Sequence, residues 1–323
     1  MRMGYALLVA AVLSAAAPAP SLAQPGFPSA PVKIVLGFPA GAFMDVIARV
    51  VGPGVGEILG QQIVIENRPG ASTNLAAEAV VRSPNTGHTL LLGSSSNVMN
   101  TKLFASLAFD FSKDLEPVAL TAAAPLILVV HPSLAVASVQ DFVALTRSRP
   151  SQINYATNGR GTATMIAGQM FDQKAETSMV PVYYKGSNEA LADLLTNRVQ
   201  VMFSPASSVL PHVHSGALKA LAVTSRNRSA LAPDLPTLDE AGLSGYNLSI
   251  WIGIMAPAGT PREATDKVAA AFERVLGSPE IRSKIAAQGA DVVFKGPRDF
   301  AAYIREDTDN WERISQMLRI KPE

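Results

Sequence analysis

The sequence predicts an α/β protein with two lobes, each a mainly parallel sheet flanked by helices. Three observations support this prediction. Short runs of aliphatic and β-branched residues alternate with helical patterns along most of the chain, which is typical of βαβ units. The chain has 323 residues, more than one hydrophobic core usually holds. It contains no cysteine, so apolar burial rather than disulfide bonding must stabilise the fold.

Residues 1–23 have the pattern of a secretory signal peptide. Arg2 supplies a positive start, residues 5–13 are apolar, and Ser21 and Ala23 form a small-x-small cleavage site. A retained membrane anchor is the alternative, and the cleavage site disfavours it. No later stretch has about 18 uninterrupted apolar residues. We therefore predict a periplasmic protein.

The predicted first lobe begins with three strand–helix units. In each unit a short apolar run is followed, after a turn, by residues with helical spacing. The predicted strands and helices lie at 32–38 and 45–59, 62–66 and 74–82, and 89–92 and 98–104. Units of this kind place their strands in parallel and pack their helices on the faces of the sheet.

A second series of units begins at the apolar run 125–130. Its predicted elements are helix 139–148, strand 153–156, helix 162–171, strand 179–184, helix 188–196, strand 199–203 with a turn after it, and strand 218–224. The tail then adds strand 248–257, helices 261–276 and 279–287, strand 291–294 and helix 297–317. Because the tail has too few strands for a third lobe, we predict that it completes the first. The predicted lobes are 24–124 with 250–323, and 125–249, with hinge crossings near 124 and 249.

Four loops connect the end of a predicted strand to the start of a helix, and all four contain glycine and small residues. They are 37–45 ("GFPAGAFMD"), 93–97 ("GSSSN"), 157–164 ("TNGRGTAT") and 184–190 ("YKGSNEA"). In parallel α/β sheets, ligands collect at this position. The first turn of a helix has unpaired N–H groups and the positive end of the helix dipole, so it favours an anion. Two such loops on each lobe predict a small anionic ligand between the lobes.

These loops also have simpler interpretations. Thr162 can cap its helix, and Asp45 can be a first-turn carboxylate favoured by the helix dipole. Gly159 and Gly161 resemble part of a dinucleotide-binding fingerprint, but Thr164 stands in place of the third glycine. We therefore favour an anion site over a dinucleotide site.

The composition argues against several classes of partner and chemistry. The 27 basic and 26 acidic residues leave no charge excess to attract nucleic acid or anionic lipid. Aromatic residues make up 6% of the chain, which argues against a sugar-stacking cleft. His212 and His214 could suggest a metal pair, but no further ligand motif accompanies them, so we predict no metal and no cofactor. An exported hydrolase is the enzyme alternative, but the sequence has neither a G-x-S-x-G elbow nor a cysteine nucleophile, so we predict no enzyme.

Several segments of the chain match a known family in order. They are "ENRPGA" (66–71), "INYATNGRGTATMIAGQMF" (153–171), "YYKGSNEALADLLTNRVQVMF" (183–203) and "LKALAVTS" (218–225). The chain resembles the tripartite tricarboxylate transporter substrate-binding receptors, the Bug family of extracytoplasmic solute receptors. The resemblance implies a type II-like periplasmic-binding-protein fold that closes on a small organic carboxylate and delivers it to a separate membrane permease. We expect a monomer, and the alternative function is a sensor that presents its ligand to a signalling partner.

The resemblance also implies which residues bind the ligand. Receptors of this family grip a carboxylate with the loop after the first strand and the loop before the "NYATNGRGT" helix, using amides, hydroxyls and ordered water. The ligand-binding positions predicted here are Pro39, Gly41, Ala42, Phe43, Asp45, Ser95, Asn97, Thr157, Asn158, Gly161, Thr162, Tyr184 and Ser204, with Lys185 and Gly186 beside Tyr184.

Some of these positions depart from the family pattern. Phe43 and Met44 replace a small residue and a threonine, Met165 replaces a frequent histidine, and Ser204 replaces a frequent aspartate. These changes make the pocket less polar, so we predict a ligand with a hydrophobic or aromatic body and at least one carboxylate. The alternative is that Phe43 turns into the core of its lobe, since phenylalanine is usually buried.

Overall fold

Residues 26–114 form three strand–helix units in the computed structural model, which describes residues 26–157, 162–184, 187–320 and 322. The elements are β1 (Val32–Leu36), α1 (Phe43–Leu59), β2 (Ile63–Asn67), α2 (Asn74–Val81), β3 (Thr89–Ser94), α3 (Ser95–Leu103) and the short α4 (Phe111–Asp114). β1 lies between β2 and β3 and is parallel to both. The three strands therefore end at the same edge of the sheet, where the loops after β1 and β3 meet.

The strand β4 (Leu115–Val130) leads into a second set of elements. They are α5 (Val139–Ser148), β5 (Asn154–Thr157), α6 (Ala163–Ala175), β6 (Val180–Tyr183), α7 (Ser187–Leu195), β7 (Val201–Pro205), α8 (Ala206–His214) and β8 (Lys219–Val223). β5 lies between β6 and β7 and is parallel to both, so the second lobe repeats the arrangement of the first. The predicted turn after residue 203 is followed by a helix that the pattern did not predict, α8, which begins at Ala206. Pro211 lies inside α8 and hid it from prediction, since proline usually interrupts a helix.

The C-terminal tail returns to the first sheet. Its elements are β9 (Ser249–Pro257), α9 (Arg262–Leu276), α10 (Pro279–Ala287), β10 (Asp291–Lys295) and α11 (Pro297–Leu318). β9 pairs antiparallel with β3 and β4, and β10 pairs antiparallel with β4. The predicted α/β class is confirmed, with antiparallel strands added beside the three parallel strands of each lobe.

β4 is the strand that both lobes share. Its residues 115–125 pair with β9, and residues 126–130 pair with β7 and β8. The sequence predicts a strand only at 125–130, because Pro117 and the alanines at 119 and 122–124 have low strand propensity. Pairing with β9 and β10 overrides this propensity. The partners of β4 therefore change between Pro125 and Leu126.

Three apolar clusters form the core. One packs α1 and α9 against the first sheet and includes Ile47. Another packs α7 and α8 against the second sheet and includes Leu194. The largest cluster continues from one lobe to the other and includes Phe203 and Trp251. Trp251 packs edge-on against Phe300, with ring centroids 5.4 Å apart, so α11 is anchored beside the shared strands.

Candidate functional site

The loop between β1 and α1 is fixed by a buried carboxylate, Asp45. Its Oδ2 accepts hydrogen bonds from the Gly41 N–H at 2.8 Å and the Arg49 Nε–H at 2.9 Å, and its Oδ1 accepts one from Asn67 Nδ2 at 2.9 Å. Asn67 also donates to the Phe38 carbonyl, which ties the loop to β2. The hydrogen bond from Arg49, with those from Gly41 and Asn67, lowers the pKa of Asp45 to about 2. Asp45 is therefore charged, and both of its carboxylate oxygens accept hydrogen bonds from the loop or from residues beside it.

The backbone amides of this loop divide into two groups. The Gly41 N–H binds Asp45, and the Ala42 N–H donates to the Pro39 carbonyl at 3.1 Å. The Phe43 and Met44 amides lie in the first turn of α1 and donate to no other described residue. Such first-turn amides suit an anion. The N–H groups of Gly41 and Ala42, both predicted as ligand contacts, are therefore used internally. The amides without an acceptor among the described residues are those of Phe43, which was also predicted, and Met44.

Phe43 and Met44 occupy different environments. Met44 is 3% exposed and packs in the core of the first lobe. Phe43 is half-buried, because one side packs against the same core and the other lines a gap between the lobes. The two alternatives for Phe43, ligand or core, thus each describe one side of its ring. The prediction that Met44 makes the pocket less polar is wrong, because its side chain packs in the core and does not line the gap.

The gap has a volume of about 590 Å³ and takes its walls from both lobes. The first lobe contributes mainly apolar groups at the start of α1, and the second contributes mainly polar ones at the starts of α7 and α8. The lining residues are Gly41, Ala42, Phe43, Val46, Ser187, Asn188, Glu189, Pro205, Ser207, Ser208 and Gln288. A gap of this size fits a small molecule.

Three threonine hydroxyls cluster at the start of α6. The Oγ1 atoms of Thr157, Thr162 and Thr164 lie 3.0 to 3.2 Å from one another. Thr162 also accepts from the Met165 N–H at 3.3 Å and so caps the helix. The sequence predicts Thr157 and Thr162 as site residues but misses Thr164, which it treats only as a lost glycine. The alternation of threonines at 162 and 164 was the available signal.

Of the other residues predicted on this lobe, the structure describes Tyr184 and Ser204. Asn158 and Gly161, together with Lys185 and Gly186, lie outside the described residues. The Tyr184 hydroxyl donates to Asp193 Oδ2 at 2.9 Å, and burial beside Asp193 raises the pKa of Tyr184 to about 12. That hydroxyl is therefore engaged within its own lobe. 

Ser204 is a buried hydroxyl with no hydrogen-bond partner among the described residues. It is fully buried on β7, opposite Ile127 of β4. The next residue, Pro205, lines the gap. An unsatisfied buried hydroxyl is costly, so a polar partner for Ser204 would be stabilising.

The loop after β3 supports the first loop. Asn97 is buried, and its Oδ1 accepts from the Ser94 N–H at 3.0 Å while its Nδ2 donates to Thr73 Oγ1 at 3.2 Å. The neighbouring predicted residue, Ser95, is also buried, at 4% exposure. Asn97 thus holds two loops together rather than pointing a free amide at the gap.

The turn 71–73 was not predicted as part of the site, although its Thr73 accepts the hydrogen bond from Asn97. Ala71, Ser72 and Thr73 have φ values of 44°, 51° and 78°, in the left-handed region that such residues rarely adopt. Thr73 packs so closely on Gly37 that a Cβ at Gly37 would lie 2.4 Å from the Thr73 Cβ. Strained backbone of this kind is concentrated at functional sites. The only signal in the sequence was the segment "ENRPGA", which ends at this turn.

Metal ligands do not cluster in the described ranges. No three His, Asp or Glu side chains there are placed to hold an ion. His212 and His214 both lie in the last turn of α8. The site therefore offers helix-terminal amides and hydroxyls, which are donors for an anion.

A family profile decides what kind of protein this geometry belongs to. The profile described as "Tripartite tricarboxylate transporter family receptor" matches residues 47–320. The chain belongs to this receptor family. Receptors of this family are periplasmic binding proteins, and none of the described helices of this one has the length and apolar character needed to cross a membrane.

Solved structures of similar proteins share the fold over almost the whole receptor. R. palustris Rpa4515 with adipate has a TM-score of 0.80 and 30% identity, covering 92% of this chain and 100% of its own. The periplasmic binding protein BugD has a TM-score of 0.78 and 26% identity, covering 92% and 100%. MatC (Rpa3494) from Rhodopseudomonas palustris with bound malate has a TM-score of 0.75 and 30% identity, covering 89% and 99%. These similarities confirm the two-lobe periplasmic-binding-protein fold and the Bug-family resemblance.

Proposed function

We propose that this receptor captures a small organic carboxylate in the periplasm and delivers it to the membrane subunits of a tripartite transporter. The observation that carries the proposal is the start of α1. Gly41, Ala42 and Phe43 line the gap there, and the Phe43 and Met44 amides donate to no other described residue. The adipate and malate bound by the relatives Rpa4515 and MatC are small carboxylates, which supports the same class of ligand here.

The carboxylate of the ligand would bind at the start of α1, where the α1 amides would donate to it. The family resemblance implies a second grip from the loop before α6. Its residues Thr157, Thr162 and Thr164 do not line the gap, so their hydroxyls would reach the carboxylate only when the lobes close. Binding with a Kd near 1 μM requires about 8 kcal/mol. Four or five hydrogen bonds to a charged group, at about 1.5–3 kcal/mol each, exceed this requirement before ordering costs of similar scale are subtracted. The geometry can therefore hold a carboxylate without an arginine clamp.

The body of the ligand would lie against an apolar wall. Phe43 and Val46 line the gap from the first lobe, and Pro205 lines it from the second. Burial of one such side chain against a ligand contributes about 1.5–3 kcal/mol. We therefore expect this receptor to prefer carboxylates with a hydrophobic or aromatic body.

A thermal-shift screen of mono- and dicarboxylates tests the proposal. A ligand at about 100 times its Kd should stabilise the receptor by about 2.7 kcal/mol. Aromatic and long aliphatic acids should raise the melting temperature more than short polar acids do. Absence of a shift with every organic acid, aromatic ones included, would overturn the carboxylate proposal.

Phe43→Ala tests the apolar wall separately from carboxylate binding. We expect it to weaken the best aromatic acid by about 10-fold relative to a short aliphatic acid, as a loss of about 1.4 kcal/mol requires. Phe294→Ala is the matched control, because Phe294 also packs partly buried against the core of the first lobe but does not line the gap. An unchanged affinity ratio in Phe43→Ala would remove the aromatic preference and leave the carboxylate site in place.

The proposal also includes the route of export and the state of the receptor. Residues 1–23 would be removed as a signal peptide, and the mature receptor would be a monomer with lobes at 24–124 plus 250–323 and at 125–249. N-terminal sequencing and the solution mass of the exported protein test both points. A mature protein that keeps Met1, or one with the mass of a dimer, would contradict them.

A further inference from the structure

A second cavity lies where the chain crosses between the lobes. It has a volume of about 750 Å³ and shares no lining residue with the gap beside Phe43. Ala123, Pro125 and Ser249 line it at the crossing strands. One wall comes from the loop 225–231 after β8, and the other comes from α10, β10 and α11. We call it the hinge cavity.

The charged side chains of the hinge cavity are mainly basic. Of its lining residues, Arg226, Arg228, Arg282 and Lys295 are basic, and Asp291 and Glu306 are acidic. Arg228 already pairs with Glu240, at 2.8 Å, and Asp291 accepts a hydrogen bond from Ser229 at 2.8 Å.

Three of these cations lack an ion pair. Arg226, Arg282 and Lys295 form none with any carboxylate in the described ranges. The lining as a whole has four basic and two acidic side chains and is therefore positive, whereas the chain has a formal net charge of only +1. Like charges that converge on a concave surface attract a multivalent anion.

The three cations come from opposite walls. Arg226 follows β8 in the second lobe, whereas Arg282 and Lys295 belong to α10 and β10 of the tail. The walls touch at the Ser229–Asp291 hydrogen bond, so they are close enough for one small molecule to contact both. The volume lies within the range of small-molecule sites, and arginine favours phosphate and carboxylate groups because its planar fork binds two oxygens at once.

Apolar groups complete the hinge cavity. Leu231, Val292 and Tyr303 line it beside the charged groups. These groups can contact an organic body beside the charged ends of a ligand, while the cations bind the charged ends themselves. We propose that the hinge cavity binds a small organic anion with two or more negative charges, of the phosphate-ester class, between Arg226 on one wall and Arg282 and Lys295 on the other.

Isothermal titration with pyrophosphate tests the site directly. The titration is run at constant ionic strength, so that general salt effects cancel. We expect saturable binding that weakens at least 10-fold in the double variant Arg226→Gln/Arg282→Gln and also weakens in Lys295→Gln. Arg274→Gln is the matched control, because Arg274 is exposed on α9 and does not line the hinge cavity, and it should bind pyrophosphate as the unmodified receptor does.

Two outcomes would overturn the proposal. One is the absence of saturable pyrophosphate binding to the unmodified receptor. The other is equal binding by the double variant, which would place the anion elsewhere. The titration needs no carboxylate ligand, so its failure would leave the proposed function untouched, and a failed carboxylate screen would not affect the pyrophosphate result.

Discussion

Asp45 and Asp307 are both carboxylates held by several donors, but their surroundings have opposite effects on their charge. Around Asp45 a guanidinium and two amide groups donate, and the pKa falls to about 2. Around Asp307 burial dominates, the donors are the indole N–H groups of Trp251 and Trp311, and the pKa rises to about 7. A cation stabilises the charged carboxylate, whereas neutral donors compensate only part of the cost of burial.

The difference follows the positions of the two residues in the fold. Asp45 fixes the loop that lines the gap, which must keep its shape when a ligand arrives. Asp307 lies on α11 and accepts from Trp251 Nε1 on β9 at 2.7 Å, close to the crossing between the lobes. One carboxylate therefore remains charged across the physiological pH range, and the other titrates within it.

Asp45→Ala should have the largest effect. The Gly41 N–H and Asn67 Nδ2 lose their acceptor, so we expect the free energy of unfolding to fall by about 2–3 kcal/mol. Carboxylate affinity should also fall, because the start of α1 loses its anchor. Urea denaturation at pH 7 measures the first effect, and ligand titration measures the second.

Asp45→Asn is the control for this variant, because it keeps one acceptor oxygen and should lose less stability. The charge of Asp45 should contribute to stability at neutral pH and cease to contribute in acid, where the carboxylate is protonated. A lowered pKa means that the contribution of Asp45 is complete above about pH 4 and is lost as the pH falls towards 2. If Asp45→Ala were as stable as the unmodified receptor, Asp45 would not be an anchor.

Asp307 should produce the opposite pH dependence. A raised pKa means that the folded state binds the proton more tightly than the unfolded state does. The free energy of unfolding should therefore be highest below about pH 4 and decrease as the pH rises through about 7. The full shift corresponds to about 4 kcal/mol, but Asp307 is partly exposed, so we expect a decrease of about 1–2 kcal/mol.

Asp307→Asn isolates this effect. Asparagine stays neutral and can still accept from Trp251, so the variant should lose most of the difference in stability between pH 5 and pH 8. Asp45 does not titrate in that window, which keeps the two carboxylates separate. Urea denaturation at both pH values makes the comparison, and an unchanged slope in Asp307→Asn would assign the pH dependence to other groups.

Some elements of the fold could be predicted from the sequence, and others could not. Alternating apolar runs and helical spacing locate β1 and α1 because both patterns are local. The first ten residues of β4 could not be found in this way, since Pro117 and its neighbouring alanines form a strand only through partners on β9 and β10. Helix α8 was also missed by the local pattern, because its interior Pro211 is unfavourable in a helix but is tolerated in the folded protein.

The candidate site also combines features that the sequence could predict with features that depend on contacts between distant residues. Family resemblance locates the loop 37–45 and places Asp45 in it, but which amides remain open depends on hydrogen bonds that the sequence does not display. The acceptor for Gly41 is Asp45, and its orientation depends on Asn67 from the neighbouring strand. The hinge cavity is a further example, because Arg226 and Lys295 are far apart in sequence and meet only through the shared strand β4.

Arg49→Gln should have the smallest effect on stability, although Arg49 forms the only ion pair of Asp45 in the described ranges. The Arg49 side chain is 53% exposed, and exposed pairs contribute about 0–1 kcal/mol, so water can replace most of its interaction. At pH 7 we expect this variant to lose less than half of what Asp45→Ala loses. Its effect should shrink in acid, because the hydrogen bond from Arg49 is the largest cause of the lowered pKa of Asp45 and the ion pair is lost when Asp45 is protonated. The stabilities of Arg49→Gln and the unmodified receptor should therefore converge as the pH falls towards 2. If Arg49→Gln were instead as destabilising as Asp45→Ala at pH 7, the ion pair, rather than the hydrogen bonds to Gly41 and Asn67, would hold the loop.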